Sequence, residues 1–321
     1  MSQEALPPLE VLPRDISAYA EGNTGIPYVH RFESGRPGPH VLVNALTHGN
    51  EICGMVAATH LLDAGVRPKI GTLTISFAHV EAYNAFDATA PYENRQLVHN
   101  LNRVWSDEWL DGPEHSPELR RARELRPVVQ AADHILDIHS TSQPVDPFWV
   151  YPAFARNAEV ALAIGRPSIH LVMPQGLGSG TPLIQHGRHG EDASTAGAAL
   201  VVECGQHFLQ SAADLAVQVS RDFLAHFGLI DGEPPAARAP RAPQRRFQLL
   251  QTCIIKTPEF RFVRPLIGFE TFAEGELIAI DGDGEIRSPC DDCTVLMPAR
   301  LPIVGREGVY LARPIQLAVS R

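Results

Sequence analysis

Three neighbouring segments between residues 40 and 80 limit the fold of this chain more than anything else in it. HVLVNAL (40–46) is an aliphatic run too short for a helix. ICGMVAATHLLDAG (52–65) carries apolar residues at helical spacing, and TLTISFAHV (72–80) is β-branched and strand-like. Strand, helix, strand in this order is the signature of a parallel sheet, because parallel neighbours need a crossover between them. Asn50 is the expected N-cap of the helix and Gly65 its C-terminal stop.

The alternation continues. PELRRARELRPVVQAA (117–132) reads as a helix with a kink at Pro127, and HILDIH (134–139), IHLVM (169–173) and AALVVE (198–203) read as strands. LQSAADLAVQVSRDFLAHFG (209–228) is a periodic helix closed by Gly228. Such a chain predicts an α/β fold, an open, mostly parallel sheet with helices on both faces. DGEPPAARAPRAPQRR (231–246) is rich in Pro, Ala and Arg and reads as a linker. Beyond it, short apolar runs broken by Gly, Pro and Asp carry no helix signal. The expected organisation is a catalytic domain over 1–230, a linker over 231–246 and a small all-β domain over 247–321.

Hydrophobic residues make up 44% of the 321, enough for a large core. A net charge of -10 disfavours nucleic acid, and any anionic substrate needs a local cationic pocket. No apolar run is long enough to span a bilayer, and the first residues, MSQEALPPLEVLPRD, show no signal-peptide pattern. Five cysteines, an odd count, argue against a disulfide framework and for a cytoplasmic setting.

THGNE (47–51) puts His48 and Glu51 three residues apart, so both can reach one ion from a turn that leads into a helix. The same spacing occurs at His30/Glu33 and His115/Glu118, so spacing alone decides nothing among 14 histidines. Position does. His48 follows the end of a predicted central strand, His139 closes HILDIH and Glu203 closes AALVVE. Ligands of open α/β sheets bind at the carboxyl ends of strands. Two imidazoles and a carboxylate suit catalytic zinc, and a further carboxylate suits the proton acceptor for its water. Asp137, two residues before His139, is placed either to orient a ligand or to cap a neighbouring loop. In HNLNRVW (99–105), Arg103 offers a fork for a carboxylate with Asn102 beside it, and Arg95 lies eight residues earlier.

THGNE, NLNR, DIHST and VECG, in this order and at these intervals, resemble the succinylglutamate desuccinylase/aspartoacylase family, relatives of the zinc carboxypeptidases. The resemblance covers most of the chain, the β-rich tail included. It implies a zinc carboxypeptidase-like sheet and one Zn2+ per chain, held by His48, Glu51 and His139. It further implies Glu203 as general base, Arg95 polarising the scissile carbonyl, and Asn102 and Arg103 gripping a substrate carboxylate. Zinc would bring the pKa of its bound water towards ~7, and Glu203 would take the proton as that water attacks the amide. Asn100 stands where the family usually has Asp and Trp105 where Phe is common; neither is expected to touch the chemistry. Arg188 and Tyr310 are candidates for a further Arg and a late Tyr.

The expected activity is therefore zinc-dependent hydrolysis of the amide of a small N-acyl amino acid. The rivals are a metallocarboxypeptidase or peptidoglycan-peptide amidase with the same metal core, and a zinc-containing binding protein that has lost catalysis. Oligomeric state, homo-oligomer included, is open. Cys290 and Cys293 form a lone C-x-x-C, read as two reduced cysteines in a turn. QGLGSGTP (175–182) reads as a loop near the site rather than a phosphate cradle. His186 and His189 either approach the substrate or are solvated loop residues.

Overall fold

The computed structural model describes residues 8–176, 178–191, 197–232 and 242–316. Its first strands are β1 (Val29–Glu33), β2 (His40–Ala45) and β3 (Thr72–Phe77), with α1 (Ile52–Asp63) crossing between the last two. Then come α2 (Val80–Asn84), α3 (Asp107–Leu110), α4 (Pro117–Ala131), β4 (His134–Thr141), β5 (Phe148–Pro152), α5 (Ala155–Ile164) and β6 (Ile169–Met173). β7 (Ala199–Gln206) and α6 (Gln210–His226) complete the α/β part. The C-terminal region is all β: β8 (Arg245–Ile254), β9 (Arg261–Phe262), β10 (Thr271–Phe272), β11 (Leu277–Asp281), β12 (Gly284–Arg287), β13 (Cys293–Leu296) and β14 (Glu307–Ile315).

Among the described residues an 11-stranded sheet runs β1-β3-β2-β4-β7-β5-β6-β8-β14-β13-β10, with β12-β11-β9 as a small second sheet. β3, β2, β4 and β7 are mutually parallel, and β5 turns antiparallel to β7. The fold is thus mixed and mostly parallel in its α/β half, and the C-terminal strands are antiparallel to one another.

The central strands are buried on both faces, which is why they read as continuous apolar runs. Alternation still sorts their side chains. Val41 and Val43 of β2 face a cluster with α1, α5 and α6, whereas Leu42 faces one with α4, Phe247 and Leu249. β8 lies parallel to β6, so the C-terminal strands extend the main sheet.

Gly65 (φ 60) ends α1 as expected. Asn50 is not its N-cap. Glu51 takes that position without a capping side-chain bond, and Asn50 Nδ2 turns to the Pro91 carbonyl instead. α4 runs through Pro127 to Ala131. β4 and β7 run past His139 and Glu203, to Thr141 and Gln206. The linker read at 231–246 falls largely outside the described residues, at 233–241, and β8 has begun by Arg245. Cys290 and Cys293 are free, the second opening β13.

Candidate active site

β2, β4 and β7 lie side by side in register, with His139 opposite Glu203. The turn after β2 brings His48 and Glu51 to the same edge. Gly49 is required in that turn. A Cβ there would sit 2.4 Å from both the Ala82 carbonyl carbon and the Asn94 carbonyl oxygen, and the Gly49 N–H donates to the Arg95 carbonyl at 3.1 Å. The turn is thereby locked against the loop that carries Arg95.

His48, Glu51 and His139 are all buried, and one ligand atom from each lies within 4.8 Å of the others. Glu51 bridges the two rings: Oε1 is 2.8 Å from His48 Nδ1, and Oε2 is 2.9 Å from His139 Nδ1. That second approach is off the hydrogen-bonding direction, so Oε2 is a buried oxygen with no donor. Each imidazole uses its other nitrogen on an outer partner. His48 Nε2 donates to Asn100 Oδ1 at 2.9 Å and His139 Nε2 to Asp137 Oδ2 at 2.8 Å. Asp137 Oδ1 also accepts from Asn44 Nδ2 and Thr47 Oγ1, both at 2.8 Å. Both Nδ1 atoms and an unsatisfied carboxylate oxygen therefore converge on one point, a donor set that suits a divalent cation. Asp137 thus does both things open to it, fixing the His139 ring and bonding the Thr47 side chain of the turn after β2. Asn100 lies closer to the site than expected, since its side chain bonds His48.

The electrostatics follow from burial. It depresses the His48 pKa to about 4, helped by Arg95. Burial would also depress His139, but the carboxylates of Asp137 and Glu51 outweigh it and hold that ring well above its usual value. Glu51 goes the other way: burial would raise it, and the two histidines keep it well below the carboxylate range. Glu203 is buried with Oε2 lacking any hydrogen-bond partner, and burial pushes its carboxyl up to about 8 against the pull of His139.

His48, His139 and Glu203 open onto a cavity of about 560 Å3. This acidic chain gathers Arg95, Arg103, Arg300 and Arg306 around it. Arg95 Nη1 donates to Glu51 Oε1 at 2.9 Å. Arg103 is reached by the C-terminal strand: Nε donates to Glu307 Oε1 at 2.8 Å and Nη2 to Tyr310 Oη at 3.0 Å. Nη1 donates to the Asn102 carbonyl at 2.8 Å. By donor count, one N–H on each Nη is left for a ligand. Asn102 Oδ1 accepts the Leu183 N–H at 3.0 Å, which seats the cavity wall against the Asn-Arg pair.

The structure thus gathers His48, His139, Glu203, Arg95, Asn102, Arg103 and the candidate Tyr310 at one cavity, with Glu51 bonded against His48, His139 and Arg95. It does not bring Arg188 there. Its guanidinium bonds the Ala132 carbonyl and Asp133, which precede β4 at the opposite edge of the sheet. His186 and His189 fit neither expectation, being buried and bonded to the carbonyls of Trp105 and Ala132. Sequence reasoning missed His207 and Glu307. His207 lines the cavity, pairs its Nδ1 with Ser140 Oγ at 2.8 Å, and is pulled down to about 3 by burial. Its signal was present four residues beyond Glu203, in ECGQH. Nothing local marked Glu307.

The family model "Succinylglutamate desuccinylase/Aspartoacylase catalytic domain" matches residues 37–219. A human N-acyl-aromatic-L-amino acid amidohydrolase (carboxylate-forming) is 33% identical over 111 residues, 32% of this chain and 33% of that protein. The chain therefore matches only about a third of that relative's length. Among solved structures, the succinylglutamate desuccinylase of Vibrio parahaemolyticus superposes with a TM-score of 0.66 at 17% identity, over 90% of this chain and 87% of that one. The product-bound ectoine utilization protein EutE (DoeB) of Ruegeria pomeroyi gives 0.61 at 19%, over 90% and 88%. At these identities the superpositions establish the shared fold.

Proposed function

The chain belongs to the succinylglutamate desuccinylase/aspartoacylase family, and on that premise we infer that it is a zinc-dependent amidohydrolase that cleaves the amide of an N-acyl amino acid or related small carboxylate. One observation carries this reading. A buried carboxylate with a free oxygen, Glu203, stands in register beside the convergent donors of His48, Glu51 and His139. When bound there, zinc supplies a Lewis acid that makes water nucleophilic at neutral pH.

The rest of the chemistry belongs to the chain. Asp137 and Asn100 hold the two imidazoles in the tautomer whose Nδ1 can ligate. Glu203, whose ionised form a bound zinc ion's charge would favour, would accept the proton of the attacking water at Oε2 and return it to the leaving nitrogen. Arg95, fixed by Glu51, adds positive charge where the carbonyl oxygen becomes an anion. Asn102 and Arg103 take the substrate carboxylate. The human relative's name, which specifies N-acyl-aromatic-L-amino acids, supports that substrate class. The division into a catalytic and a small β domain, and the cytoplasmic setting that the odd cysteine count supports, belong to the same proposal.

The test is primary-amine release by the zinc-loaded protein from N-acetyl, N-succinyl and longer N-acyl amino acids, with short peptides bearing free C-termini alongside. Release from the acyl-amino acids is the expected result. Release mainly from peptides would move the protein to the carboxypeptidases, and tight ligand binding without any hydrolysis would make it a binding protein.

A further inference from the structure

The cavity does not stop at Glu203. From β4 the sheet passes through β7 to β5 and β6, and the cavity follows it. Val201 stands two residues before Glu203 on the same face of β7 and pairs across with Val150 of β5. Both line the cavity, as do Met173 at the end of β6 and Ile184 in the short helix Leu183–Gln185. These four and Tyr310 belong to, or pack against, one hydrophobic cluster that also holds Phe148 and Phe247. This end of the cavity opens into the core.

Covalent geometry decides what part of a substrate meets that wall. In an N-acyl amino acid the α-carbon is one bond from the amide nitrogen and one from the carboxylate carbon. With the amide at Glu203 and the carboxylate at Arg103, the side chain is confined to the surface between them. Val201 flanks Glu203 on that surface. The bond from Leu183 N–H to Asn102 Oδ1 seats Ile184 beside the carboxylate grip, and the bond from Arg103 Nη2 places Tyr310 across from it.

Among the described residues, the cations around this cavity are engaged elsewhere or exposed. Arg95 is held by Glu51 and Arg103 by Glu307. Arg300 lies over the Tyr92 ring, 4.1 Å from its centroid, and Arg306 is exposed. Arg188 is bonded at the far edge of the sheet.

We propose that the amino-acid side chain this site accepts is uncharged and apolar, of the size of leucine, methionine or phenylalanine, and that acidic side chains are rejected by the Val150–Val201–Ile184 wall. The proposal rests on the amidohydrolase reading, which supplies the positions of amide and carboxylate. A buried carboxylate there would lose its hydration with no counter-ion, whereas each buried methylene tightens binding about fourfold.

Zinc-loaded Glu203→Gln protein holds the ligands uncleaved for titration calorimetry. N-acetyl-L-leucine and N-acetyl-L-phenylalanine should bind at least about thirtyfold more tightly than N-acetyl-L-aspartate and N-acetyl-L-glutamate. Met173→Arg, added at a half-buried position, should narrow that ratio by about tenfold. If that variant does not fold, the near-isosteric Val150→Thr should weaken leucine-type ligands alone, by about threefold to tenfold. Acidic ligands that bind equally well or better, or a ratio that neither substitution moves, would overturn the proposal. Amine release by the unsubstituted enzyme separates the two readings. Apolar preference in binding without amine release defeats the amidohydrolase and leaves the wall's selectivity standing. Amine release favouring the acidic substrates does the reverse.

Discussion

Glu203 and Asp137 are both buried carboxylates within one sheet, and their neighbours give them different work. Asp137 accepts three hydrogen bonds that engage both of its oxygens. Glu203 keeps an unpaired oxygen. Glu203→Gln should therefore cut kcat by roughly 100- to 10,000-fold while the zinc content measured by atomic absorption stays at one per chain. Full zinc with normal turnover would remove Glu203 from the mechanism. Asp137→Ala should act on the metal instead, lowering zinc affinity by roughly 10- to 100-fold in competition with a chelator, because His139 loses the partner that fixes its ring.

The elements explain why some of this was legible in the sequence. His48, His139 and Glu203 could be read because each follows a short aliphatic run, and the ends of parallel strands meet at one edge whatever the details of packing. Arg188 could not be placed. After the wall residues Leu183–Gln185 the chain makes a second short helical turn, Gly187–Gly190, that carries it away from the cavity. Such turns have no periodicity to read. Glu307 was hidden for another reason, since its partner Arg103 lies 204 residues earlier and only the β6–β8–β14 pairing brings them together.

That pair has a pH signature. Burial alone would raise the Glu307 carboxyl, but Arg103 holds it down to about 2. A carboxyl depressed in the folded state stabilises above its unfolded value, near 4.5, and the contribution drains away as pH falls towards 2. Wild type should exceed Glu307→Gln in unfolding free energy by roughly 2 kcal/mol at pH 6, from urea titrations. The gap should narrow steadily below pH 4.5; a gap constant from pH 6 to pH 3 would show that the ion pair contributes nothing. The same variant should raise KM more than it lowers kcat, because it loosens the carboxylate grip and leaves Glu203 untouched.

At the scale of the whole molecule, four strands of the C-terminal β region, β8, β10, β13 and β14, extend the main sheet. β8 covers the edge of β6, and β14 supplies two residues that hold Arg103. A chain stopped before Arg245 would expose the β6 edge, and exposed edges template aggregation. It should lose most of its soluble yield, measured by centrifugation after expression. A truncated protein that stays soluble with unchanged substrate selectivity would show that the α/β part stands alone.

The joining of Arg103 to β14 also orders events in time. A ribosome releases His48, Glu51 and His139 first, then Glu203, and reaches Glu307 and Tyr310 only a hundred residues later. Contacts this distant along a chain are slow to form. On the proposed function, the residues for the metal and the base leave the ribosome well before those that steady the carboxylate grip, so hydrolytic competence would arrive last and mark the completion of folding.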